Sequence, residues 1–552
     1  MKAFNVRDYG ATGQKAHDAT PAIQKAVDAC SEAGGGMVYL PPGEYTSGTI
    51  HLRSHVRFHV EAGATVYSSK NRADFSAKED GREALFYGED LQNITLEGRG
   101  TVDGQADYEW RVQDFDDRYI KENLDEFVKT GKKPLRAFPK KDQYGRLVLL
   151  LKCTDVRVEG LSFIRSPSWT MNYYACKRLV IDGVYIRSNL KSGVWADGID
   201  PDGCSDVRIS NCTIETGDDA IVFYSTPIWG PALACENITI TNCRLSSASS
   251  AIKFCDGNNV AVRNVVIDNC VITDTTRGIA FMTFDGGYIS DVVISNCTID
   301  CRRFDWFWWG DGDPFYFMSR RRYSELHPEL GRTDAPAGAI RNVLIKDVIA
   351  HGKARCLLRG HPEQWLEGIR FSDVRLFLSA DPKADYDKEG SALLFRYARD
   401  VELHNVDVIM ENPTSAKWKS ALAFEEASDI LIDGFRGRLP RGSKEPAISL
   451  RNVKGVVIRN SRVDPATGTL LVAGVGTEDV VVGTGVIPPA NEVEREAMSP
   501  HAPLSTVAAR RPGPRKPAVK KDAAKTPPAR KKAPGGRVRK PAGKAKPPKR
   551  GR

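Results

Sequence analysis

A short phrase recurs through the middle of the chain and restricts its fold more than any other feature. It reads Val207-Arg208-Ile209-Ser210-Asn211-Cys212, then Ile238-Thr239-Ile240-Thr241-Asn242-Cys243, Val266-Ile267-Asp268-Asn269-Cys270 and Val293-Ile294-Ser295-Asn296-Cys297. The asparagines at 211, 242, 269 and 296 are 31, 27 and 27 residues apart. Weaker copies precede at Glu159-Gly160 and Asp182-Gly183, and others follow at Asp347, Asp373, Asn405, Asp433 and Asn460. Each copy alternates apolar and polar residues and ends in Gly, Asn, Asp or Ser, which is the chemistry of a strand running into a turn. A period near 27 is too short for a four-stranded propeller blade and suits one coil of a three-stranded parallel β-helix, with coils rising about 4.8 Å. Asparagines repeating at one turn can form a ladder of side-chain amides. Cys212, Cys243, Cys270 and Cys297 are expected as an inward stack of small buried side chains rather than a metal site, because no paired CxxC spacings accompany them.

The flanks fit that solenoid. Thr20 to Ala33 has helical spacing, with Ile23, Ala26, Val27 and Cys30 on one side, Thr20-Pro21 at its start and Gly34-Gly35-Gly36 after it. Such a helix can cover an open end whose strand edge would otherwise pair with other chains. Segments 104–145 and 302–338 interrupt the repeat and are expected as insertions. The coils are expected to fill residues 1–490. The net charge of +9 divides unevenly: residues 501–552 hold 18 Lys and Arg, one Asp and ten Pro, a local charge of +17, so the remainder carries −8. Residues 491–552 are therefore expected as a disordered basic tail, either solubilising or binding nucleic acid or another polyanion. No apolar run approaches a membrane span, and Met1-Lys2-Ala3-Phe4-Asn5 opens no signal core, so a cytoplasmic protein without membrane contact is expected, with secretion by another route or from an upstream start as the alternatives. Reduced thiols follow from that expectation.

The densest chemistry is Trp195-Ala196-Asp197-Gly198-Ile199-Asp200-Pro201-Asp202-Gly203, followed by Gly217-Asp218-Asp219. Asp197 and Asp218 stand 21 residues apart, a little under one coil, so adjacent coils can bring Asp197, Asp218 and Asp219 into one cleft. Crowded carboxylates raise at least one pKa and supply the acid and base that glycosidic hydrolysis needs. Clustered carboxylates also suit calcium. Asp200, Asp202 and Asp206 are expected as turn-capping aspartates. The histidines form no HxH or HExxH pair, and His51, His55 and His59 are expected to be structural; no metal or cofactor is implied.

Over roughly residues 3–310 the chain resembles the glycoside hydrolases of family 28, the polygalacturonases, within the pectin-lyase-like β-helix superfamily. The resemblance rests on Phe4-Asn5-Val6-Arg7-Asp8-Tyr9-Gly10-Ala11, Leu40-Pro41-Pro42-Gly43-Glu44-Tyr45, Ser166-Pro167-Ser168-Trp169-Thr170, Asp197-Gly198-Ile199-Asp200 and Gly217-Asp218-Asp219. It implies an all-β fold, a right-handed parallel β-helix. It further implies inverting hydrolysis, with Asp218 as general acid and Asp197 and Asp219 holding and activating the water. The chain departs from the family where Gly-His-Gly is due, reading Ser247-Ala248-Ser249-Ser250-Ala251. It departs again where Arg-Ile-Lys is due, with Ala280 and Met282 in place of the cations that bind the substrate's carboxylate. Lys253 or Arg277 could compensate, or could be structural.

Trp169 and Trp195 are candidate sugar-stacking residues, as is Trp308 in the run Phe304-Asp305-Trp306-Phe307-Trp308-Trp309, which could instead pack on the solenoid flank. The leading expectation is a monomeric glycoside hydrolase acting on an acidic or deoxy-sugar-rich polysaccharide. A β-helix lyase or uronate epimerase is a second reading, since Asp200-Pro201-Asp202 is similar to an Asp-Pro-His motif of alginate epimerases. A non-catalytic carbohydrate-binding solenoid is the third.

Overall fold

The computed structural model describes residues 2–76, 81–106, 145–191, 193, 195–304, 310–322, 335–381, 391–413, 418–463 and 469–486, and the backbone alone of 111–113, 138–140 and 494–495. Trp308 and nearly all of the expected basic tail lie outside the described residues. The chain winds as a parallel β-helix of three strand stacks. The first stack holds Gly36–Leu40, Val56–Val60, Gln92–Gly98, Thr154–Glu159, Lys177–Asp182, Ser205–Ser210, Cys235–Thr241 and Ala261–Asp268. The third, which carries the candidate site, runs through Ala84–Glu89, Arg146–Leu151, Met171–Tyr174, Ile199–Asp202 and Ile221–Ser225, into the later part of Arg244–Asn258 and of Val271–Thr283, and on to Asp313–Ser319.

Alternation puts one apolar column inside each stack. In the first, Val207, Ile238, Val265, Val292, Val343, Ile369, Val401, Ile430 and Val456 are consecutive register partners, and all are buried. The step from Val292 to Val343 is the longest of these, yet the register does not slip. In the third stack Phe254, Phe281 and Phe317 stack with centroids 4.3 and 4.1 Å apart. Replacing Phe281 with Ala is expected to destabilise the protein by about 3–5 kcal/mol, since a large ring would leave a cavity between two fixed neighbours. Chemical denaturation of the variant would measure it.

The amide ladder forms at the expected turn. Asn211, Asn242, Asn269 and Asn296 all take left-handed φ of 53–57°, a conformation asparagine tolerates because its short side chain bonds locally. Asn269 Nδ2 donates to Asn242 Oδ1 at 2.7 Å and Asn242 to Asn211 at 3.3 Å, while Asn296 turns to Asp268 at 2.8 Å. In the earlier copies Gly160 and Gly183 take the left-handed place instead. The four cysteines of the repeat are buried and free, as expected. A second column at another corner, Cys153, Cys176, Cys204 and Cys235, was not foreseen. Their thiols lie against backbone carbonyls of the coils.

The capping helix is Thr20–Glu32 and buries Ala22, Ile23, Ala26, Val27 and Cys30. Its cap differs from expectation by one residue. Ala19 is the N-cap and makes no side-chain bond; Asp18 Oδ1 instead accepts from the Thr20 N–H at 2.9 Å. The insertion expected at 104–145 contains a separate antiparallel pairing of 111–113 with 138–140. The insertion expected at 302–338 is corrected: Asp313–Ser319 is a regular strand of the third stack, with Phe315 and Phe317 in the core. Tyr316 and Met318 join an apolar cluster with Ala280 and Met282 instead, so both faces are buried and no polar alternation marked the strand.

Candidate active site

The corner leading into the third stack carries one line of residues parallel to the solenoid axis. Val148, Met171, Ile199, Ile221 and Ile252 are successive register partners. Two residues before each stand Arg146, Trp169, Asp197, Asp219 and Ser250, and the register continues from Ser250 to Arg277 and Asp313. Neighbours on this line are one coil apart, about 4.8 Å. Their side chains reach over the outer face of the third stack: Asp219 meets Lys253, Trp169 stacks on Tyr224, and Arg277 lies over Tyr316.

Two glycines allow the coils to close here. A Cβ at Gly217 would come within 2.4 Å of the Asn189 carbonyl, and one at Gly198 within 2.3 Å of the Ala220 carbonyl. The hydroxyls of Thr216 and Ser247 both donate to the Asp218 carbonyl, at 2.7 and 2.6 Å. The Gly-Asp-Asp corner is thereby fixed before its carboxylates do anything.

Asp197, Asp218 and Asp219 come together as expected, each almost fully buried. Asp219 is surrounded by donors: Lys253 Nζ at 2.9 Å from Oδ2, and the Ser249 hydroxyl and Ser250 N–H at 2.6 and 3.0 Å from Oδ1. Asp218 accepts the Trp195 N–H at 2.9 Å and the Asp219 N–H at 3.0 Å. Trp195 is left-handed, φ 62°, and presents its backbone N–H to the carboxylate. Burial, and then the charge of Asp219, push the Asp218 carboxyl up to about 7. Burial and the neighbouring Asp218 hold Asp197 well above the usual carboxylate range.

Asp200 corrects the turn-capping expectation. It lies in the strand Ile199–Asp202, fully buried, and neither of its oxygens finds a donor among the described residues. Burial and the neighbouring charge of Asp219 drive its carboxyl upward. Asp202 is also a buried strand residue, bonded to the N–H and hydroxyl of Thr226. Asp206 likewise lies in a strand, Ser205–Ser210, near its start, where it is left-handed and accepts from Asn237 at 3.1 Å.

Both candidate cations are engaged. Lys253 sits one coil before Ala280 in register, and its charge lies on Asp219. Arg277 lies 3.9 Å from Asp313 and 3.8 Å above the Tyr316 ring. Trp169 is half-buried and stacks on Tyr224 at 5.4 Å. Sequence reasoning missed Arg146 and Tyr224, whose places beside the aspartates appear only once coil register is known.

Residues 30–301 match the family model for glycosyl hydrolases family 28. They belong to that family. A probable polygalacturonase of Vitis vinifera is 27% identical over 237 residues, covering 40% of this chain and 43% of that protein, so the chain spans less than half of this relative. The mannuronan C5-epimerase AlgE3 of Azotobacter vinelandii is 38% identical over 112 residues, 19% of this chain and 6% of that protein. Among solved structures, the Yersinia enterocolitica family 28 exopolygalacturonase shares the fold with a TM-score of 0.61 at 18% identity, covering 78% of each chain. The hyperthermoactive exopolygalacturonase from Thermotoga maritima gives 0.56 at 23%, covering 74% of this chain and 92% of that one. The family 28 segment thus contains Asp197, Asp218, Asp219, Lys253 and Arg277. Ala280 and Met282 lie in the apolar cluster with Tyr316 and Met318, which leaves that stretch of the outer face without a cation from these two positions.

Proposed function

We propose that the chain is an inverting glycoside hydrolase that cleaves O-glycosyl bonds of an acidic, pectin-like polysaccharide. The observation that carries this reading is the division of labour between adjacent carboxyls. Asp218 is buried beside a negative neighbour, whereas Asp219 is ion-paired with Lys253 and saturated with donors. Asp218 then gives its proton to the leaving glycosidic oxygen. Asp219 accepts a proton from the attacking water, and Asp197 orients that water. Family membership and the polygalacturonase relatives support the same reaction and substrate class. Reducing-end release from polygalacturonan, with the anomeric configuration of the first product read by NMR, tests it. Release with inversion is expected, and retention would overturn the single-displacement step.

The pH profile follows from Asp218. The acid must be protonated, so kcat/KM is expected to fall tenfold per pH unit above about 7, where its carboxyl titrates. The AlgE3 match favours a second reading, epimerisation at the uronate C5. Epimerisation would alter proton NMR signals of an alginate without creating new reducing ends, so the same assay separates the two.

A further inference from the structure

With Lys253 committed to Asp219, and Arg277 set over Tyr316 beside Asp313, recognition of an acidic chain needs another cation. Arg146 occupies the same axial line, two coils from Asp197. Its guanidinium lies 5.0 Å from the Trp169 ring centroid and 5.2 Å from that of Trp229. Nη1 donates to the Gly81 carbonyl at 3.0 Å. Nε is buried and has no hydrogen-bond partner, and among the described residues no carboxylate comes within ion-pair distance of the guanidinium. Asp200, Glu83 and Asp197 exert a longer-range attraction on it, while burial works against its charge. An arginine held between two indoles, partly desolvated and with an unused donor, is matched to a planar carboxylate.

We propose that Arg146 reads a substrate carboxylate, at a subsite about two coils, or 10 Å, from Asp197 along the cleft. A pyranose ring is comparable in length to one coil rise, so the recognised uronate lies about two sugars from the cleaved linkage. Carboxylate recognition is thereby moved away from the coil of Ala280 and Met282, to the opposite side of the aspartates. This rests on the hydrolase reading above but can fail independently of it.

The test is calorimetric binding of tri- and tetragalacturonate, and of the same oligomers with carboxyls reduced to alcohols, to Asp218→Asn protein with Arg146 intact or replaced by Gln. Tighter binding of the charged oligomers by at least tenfold, collapsing to less than threefold with Arg146→Gln, is expected. An Arg146→Lys variant is expected to keep part of the preference, because it retains the charge but not the fork. It also serves if the Gln variant does not fold. No preference for charged oligomers, or a preference that survives in the Gln variant, would overturn the proposal. Reducing-end release by the protein with Asp218 intact is measured beside it. Charge-selective binding lost with Arg146, but without release, would sink the hydrolase reading and leave Arg146 standing.

Discussion

Asp218→Asn is expected to lose at least about 10³-fold in kcat while folding normally, because it removes the only proton source proposed for the leaving group and changes no volume. Its stability should move the other way. A carboxyl raised to about 7 in the folded protein, against about 4 unfolded, favours folding fully only below pH 4. That contribution is lost as pH rises to about 7. Asparagine never carries the charge, so the variant is expected to be more stable than the parent by about 1–4 kcal/mol at pH 8, with the gap closing towards pH 4. Denaturant titrations at both pH values, beside reducing-end assays, check both halves. A variant that loses activity and stability together at pH 8 would mean that Asp218 holds the corner together rather than supplying a proton.

Lys253→Met should damage stability and activity together. Lys253 and Asp219 are each under a tenth exposed, and removing the ammonium leaves a buried carboxylate with hydrogen bonds but no counter-charge. Breaking a buried pair from one side costs about 3–5 kcal/mol. A further loss of about 10²-fold in kcat is expected, because the carboxylate that accepts the water's proton would lose the ammonium that holds it in place. Combining Lys253→Met with Asp219→Asn is expected to restore most of the stability and none of the activity. A double-mutant cycle that shows additive losses would place Lys253's role elsewhere.

The solenoid was legible because its signals repeat. Alternation, the Asn211 to Asn296 spacing and the attendant cysteines all describe one corner seen several times, and the structure places them there. The Gly-Asp-Asp corner was legible because three adjacent residues carry it. What stayed hidden depends on register between coils. The column Cys153, Cys176, Cys204 and Cys235 opens the same repeat, as in Cys153-Thr154-Asp155-Val156-Arg157-Val158 and Cys204-Ser205-Asp206-Val207-Arg208-Ile209, but its uneven steps of 23, 28 and 31 residues masked it. Asp313–Ser319 is buried on both faces and so lacked the polar alternation of a strand. Asp200 looked like a turn residue because Gly and Pro surround it, yet it continues a strand beside Asn172. Arg146 follows an insertion, and nothing in its sequence neighbourhood points to an aspartate 51 residues later.

The unbroken register from Val292 to Val343 has an evolutionary corollary. Because each layer is templated by the one beneath it, added chain can leave a corner and return without disturbing the stack. The walls above the outer face can therefore be exchanged wholesale between homologues while the floor that holds the carboxyls is inherited unchanged. Preference for one glycan over another can then diverge far faster than the chemistry itself, and swapping a single excursion between two such proteins should transplant the preference along with it.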